Sequence, residues 1–189
     1  MLVQGSADLP YGPTLLSLVM FGVYLVVAAL AAIAALRARH YRQPRRFVAV
    51  WAGLAALFVI LALWRIGAME DVLREAMRSW LRGHQMYAER RSYQWPAAAA
   101  AFAIAAFGAG VLLAKFRGAG ARRRERATII ALACGWGMIA LVAVRVISFS
   151  QVDRFLYGPL KLNWIADAGF SAGVALLALY YLKLLSSQR

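Results

Sequence analysis

Five apolar runs of about twenty residues, broken by short basic or polar loops, constrain this chain more than any other feature. A bilayer core about 30 Å thick is crossed by about 20 apolar residues in a helix. The runs fall at about 15–36, 47–67, 96–116, 128–149 and 164–185. They predict an all-α integral membrane protein, a single transmembrane domain over 1–189 built as a five-helix bundle. Composition agrees, since 63% of the residues are apolar, against roughly 45–50% in a soluble domain. The third run, "PAAAAAFAIAAFGAG", is mostly alanine, which suits a helix packed closely among others.

The formal net charge of +14 would suggest nucleic acid in a soluble protein. In a polytopic protein the same excess reports orientation and attraction to anionic headgroups, so no nucleic-acid partner is expected. The loop "RARHYRQPRR" carries Arg37, Arg39, Arg42, Arg45 and Arg46 with no acid. The loop "KFRGAGARRRER" carries Lys115, Arg117, Arg122, Arg123, Arg124 and Arg126 against Glu125 alone, and Lys183 and Arg189 follow the last run. These thirteen basic residues share one face if all five runs cross. The amino terminus is then outside and the carboxyl terminus cytoplasmic, in a bacterial inner membrane. No base precedes the first run, so no cleaved signal peptide is expected. Trp64, Trp95 and Trp164 fall at the outer ends of their runs, where interfaces enrich aromatic rings.

The outer loop at 69–95, "MEDVLREAMRSWLRGHQMYAERRSYQW", is dense in charge and aromatics. Met69, Val72, Leu73, Ala76, Met77, Trp80 and Leu81 recur at helical spacing, with Glu70 and Asp71 early and Arg78 and Arg82 late. The pattern predicts an amphipathic helix in the outer interface between the second and third spans. It fits a bridge between spans, a lid over a site, or a docking face for another protein.

Catalytic motifs are poorly supported. "GFSAG", 169–173, matches G-x-S-x-G, but Ser171 lies inside a span and the two histidines, His40 and His84, belong to loops on opposite faces. Gly169 and Gly173 also read as GxxxG, a flat face for helix packing. Opposite faces exclude a bis-histidine haem within one chain. The acids Glu70, Asp71 and Glu75 sit among arginines as solvated pairs, and Cys134 is alone in an apolar run. No catalytic set and no metal site are expected, and no cofactor is indicated.

Ionisable residues within spans are the sharper signal, because charge in a bilayer is costly and is usually paired or functional. Arg65 closes the second span, Arg145 lies near the outer end of the fourth, and Asp167 lies near the outer end of the fifth. An Arg145–Asp167 pair is geometrically reasonable, either as a structural joint or as part of a site; snorkelling of the arginine is the alternative. Tyr87, Arg90, Arg91 and Gln94 belong to the same outer layer. Together these residues suit an anionic lipid headgroup or a quinone-like molecule.

The stretches "YAERRSYQ" (Tyr87, Arg90, Arg91, Gln94) and "RVISFSQVD" (Arg145, Ser148, Asp153) resemble a loosely defined group of small uncharacterised bacterial polytopic inner-membrane proteins of about five spans. The likeness runs from "RRFVAVWAG" onward, about two thirds of the chain. Members of that group often carry Gly-Trp-Tyr where this chain has "QMY", and two histidines at the positions of Ser150 and Gln151. The resemblance implies a membrane bundle and no activity. The expectation is a non-enzymatic accessory or assembly subunit, or a lipid-binding protein, forming a homo-oligomer or larger membrane complex with anionic lipid. The alternatives are an enzyme or cofactor-binding protein acting on a lipid-soluble molecule at the outer face and, less favoured for want of an acidic relay, a small transporter or channel.

Overall fold

The computed structural model describes residues 15–67, 123–147 and 162–187, with isolated helical positions between 103 and 114. Four long helices dominate: α1 (Leu15–His40), α2 (Arg45–Ile66), α3 (Arg123–Ile147) and α4 (Leu162–Ser186). All four are long and apolar enough to cross a membrane, as in a multi-pass membrane protein. Leu36, Leu63, Ile165 and Leu176 are among the large apolar side chains left facing outward. A helix apolar on both its packed and its outward faces has lipid as its natural surroundings.

Each helix buries one seam. On α1 it is Met20, Tyr24, Val27, Ala31, Ala34 and Ala38; on α4 it is Asp167, Ser171, Val174, Ala178, Tyr181 and Leu185. The alternating steps of four and three keep one face of a helix against its neighbours, as in coiled coils. Shorter seams of the same spacing run along α2 (Trp51, Leu54, Phe58, Leu61) and α3 (Thr128, Ala131, Gly135, Met138). The alanines of α1 allow close approach of backbones, and Trp51, Phe58 and Tyr181 fill the remaining interior. Around the bundle, α1 borders α2 and α4, and α3 borders the same two helices. Gly108, from the expected third span, lies against α3: a Cβ there would come within 3.1 Å of the Trp136 ring.

The α1–α2 turn is closed by two backbone bonds, Gln43 N–H to Ala38 O at 2.9 Å and Arg42 N–H to Arg39 O at 3.1 Å. This is the Schellman pattern that caps a helix carboxyl end. Arg42 occupies its left-handed position, with φ 49°, where glycine is the usual residue. Pro44 follows and starts α2. The tight turn makes α1 and α2 antiparallel.

The helices run further than the apolar runs predict, because the arginines that end a hydrophobic run do not end a helix. α1 continues through Arg37 and Arg39 to His40, and α3 begins at Arg123 rather than near 128. Four helices have the length and apolarity of spans among the described residues. Most of the expected third span and the whole of the expected interfacial helix at 69–95 lie outside the described residues.

Candidate functional site

At the end of the bundle where α4 begins, Asp167 is fully buried. The phenol of Tyr24, on α1, donates a hydrogen bond of 2.5 Å to its Oδ1. Tyr24 is itself only 2% exposed, and its ring stands edge-on to Phe58 of α2 at 5.8 Å. Carboxylates are rarely buried without a partner, because the cost of leaving water exceeds what packing returns. One turn before Asp167, the Trp164 ring lies under the Arg65 guanidinium of α2 at 5.2 Å. Contacts from α1 and α2 therefore converge on the first two turns of α4.

Of the residues expected to form an outer polar layer, the structure brings Arg65 and Asp167 to the same end of the bundle. Arg145 lies in the last turns of α3, and its side chain is outside the described residues, so its pairing with Asp167 is not defined. Tyr87, Arg90, Arg91 and Gln94 also lie outside the described residues. Tyr24 was not singled out by sequence reasoning. The signal was present: it is the one tyrosine of α1, and it shares the seam of Ala31 and Ala38 at seven-residue spacing.

Further polar atoms follow the α4 seam. Ser171 Oγ, one turn beyond Asp167, is buried and has no hydrogen-bond partner among the described residues. The rings of Tyr181 and Trp51 meet at 5.2 Å, with the Tyr181 hydroxyl and Trp51 Nε1 likewise unpartnered. Among the described residues, no base serves Ser171. His40 stands against Tyr41 at the far end of α1, about 24 Å along the axis from Tyr24 at 1.5 Å per residue. Of the two glycines flanking Ser171, a Cβ at Gly173 would come within 3.0 Å of Cys134 Sγ, whereas Gly169 has open space around it. The packing face expected from GxxxG is thus built on Gly173. No group of three metal-binding side chains occurs among the described residues.

The opposite end is arginine-rich. Arg46, in the first turn of α2, meets Glu125, in the first turn of α3, at 3.1 Å. Arg124 donates a 2.9 Å bond to the Leu184 carbonyl near the end of α4. That carbonyl is one of the four that a helix end leaves without an internal partner. These contacts gather the starts of α2 and α3 and the end of α4 around a recess of about 580 Å³. Its walls include Arg46, Phe47, Arg123, Arg124, Glu125 and Leu184. The described part of the second basic loop, Arg123, Arg124 and Arg126, shares one end of the bundle with the first loop.

Comparison of the chain with protein-family models, curated proteins and solved structures finds no match.

Proposed function

We propose that this protein is a non-enzymatic, multi-pass inner-membrane bundle acting as an accessory or assembly subunit of a membrane complex. The observation that supports this reading most is the buried Tyr24–Asp167 contact. The intramembrane carboxylate, the residue with the strongest claim to chemistry, helps to join α1 to α4. Its neighbour Ser171 has no base among the described residues. The arginine-rich end faces the cytoplasm by the positive-inside rule. The outward-facing apolar side chains of all four helices are the surface through which partners or further copies would pack.

Extraction in mild detergent followed by native mass spectrometry tests this. An assembly larger than one chain, with retained anionic lipid, is the expected result. A lipid-free monomer that turns over a lipid-soluble substrate, and stops doing so on Asp167→Asn, would replace the reading with an enzyme acting at the outer face.

A further inference from the structure

The recess at the arginine-rich end has a chemistry that the joining of helices at the other end does not use. We infer that it binds a phosphate group, presented either by the headgroup of an anionic phospholipid or by a soluble phosphate. This inference does not rest on the assembly reading, since a monomer would contain the same recess.

Three features converge on phosphate. Among the described residues the walls carry three arginines, Arg46, Arg123 and Arg124, against the single acid Glu125. Planar guanidinium groups match phosphate oxygens with two parallel hydrogen bonds, which ammonium groups do not. The amino termini of α2 and α3, helices of 22 and 25 residues, both open at this recess. Each adds the partial positive charge of its helix end, and α2 has no side-chain cap to occupy its first amides. Finally, about 580 Å³ is ample for a phosphate and a glycerol-sized group attached to it.

The recess is also placed and lined for an amphiphile. It lies where three candidate spans begin or end, at the level where headgroups sit. Phe47 and Leu184 supply an apolar wall beside the charges. The guanidinium of Arg46 is already oriented, resting 5.0 Å from the Phe47 ring and 3.1 Å from Glu125. Arg124 is fixed by the Leu184 carbonyl, while Arg123 is exposed and uncommitted to any described bond. An incoming phosphate takes Arg123 and competes with Glu125 for Arg46. Glu125 thereby sets the affinity of the site.

The test uses the full-length protein in neutral detergent. Binding of short-chain phosphatidylglycerol and phosphatidylcholine is followed by native mass spectrometry, and protection by inorganic phosphate against chloride is followed by thermal unfolding. Arg46→Gln combined with Arg123→Gln should weaken phosphatidylglycerol binding by roughly tenfold, as the loss of charged hydrogen bonds implies. Arg37→Gln combined with Arg39→Gln removes the same charge from the same end and should change binding less than about twofold. Protection by inorganic phosphate without preference for phosphatidylglycerol would identify a soluble ligand in the same site. Equal losses from both pairs, or no preference for either phosphate probe over its control, would overturn the inference. Glu125→Gln frees Arg46 and should raise affinity several-fold; unchanged affinity there would overturn it even if the double variant failed to fold.

Discussion

Where α4 begins, one carboxylate is closed off from solvent and accepts a hydrogen bond from a phenol; where α4 ends, arginines and a glutamate stand around an open recess. Asp167 is fully buried, whereas the Arg46 side chain is 65% exposed. At 4 Å, two unit charges attract by about 1 kcal/mol in water and about 4 kcal/mol at a partly buried site. Similar polar contacts at the two ends therefore have different consequences. The buried one shapes the fold, and the exposed ones leave their chemistry available to a ligand.

The largest effect should come from breaking the buried contact. Tyr24→Phe removes the donor, and Asp167→Asn weakens the acceptor. Hydrogen bonds between membrane helices average about 0.6 kcal/mol and reach about 1.7 kcal/mol; a carboxylate acceptor puts this one at the upper end. A double-mutant cycle of unfolding in mixed micelles should show coupling of about 1–2 kcal/mol. Additive losses would mean that the hydroxyl and the carboxylate stabilise the bundle separately.

A middle-sized effect separates packed from open glycines. A Cβ at Gly135 would meet Leu54 Cδ2 at 2.5 Å, and Leu54 is itself buried; Gly53 has open space around it. Overpacking costs about 1–3 kcal/mol, against a helical gain of about 1 kcal/mol for alanine over glycine. Gly135→Ala should therefore lose about 1 kcal/mol, and Gly53→Ala should gain up to about 1 kcal/mol, in the same unfolding assay. Equal gains at both sites would show that α2 and α3 are further apart than described.

The smallest effect belongs to the open end. Arg46→Gln breaks the pair with Glu125 but should change stability by less than about 1 kcal/mol, as exposed ion pairs usually do. A loss as large as that of Tyr24→Phe would erase the contrast between the two ends.

Much of this organisation was legible from residues alone. The apolar runs located α1, α2, α3 and α4, because span length is a property of the bilayer rather than of any tertiary contact. The basic loops placed the starts of α2 and α3 and the end of α4 together, since each run reverses the direction of the chain. Helix ends were less legible: the Arg42 turn is set by backbone geometry that favours glycine, and nothing in "RHYRQ" announces it. Asp167 stood out as an intramembrane charge, but its contact with Tyr24 spans 143 positions. Charge patterning searches for a cation beside an acid and pointed to Arg145, whose side chain lies outside the described residues; it carries no signal for a neutral phenol. The recess was the least visible feature. Its arginines read first as topology signals, and only the folded chain shows that three of them share one cavity with Glu125.

The seams of α1 and α4 repeat every seven residues, and this gives the Tyr24–Asp167 contact a further meaning. Sliding one helix past the other by a heptad moves it about 10.5 Å and presents much the same kind of apolar surface. Lipid tails are as apolar as the side chains and do not penalise the slip. Only one axial alignment sets the phenol of Tyr24 opposite the carboxylate of Asp167. The pair thus works as an index mark on two otherwise interchangeable rails. Without it, the helices would still insert, yet they would lose the reference point that tells them how far to travel.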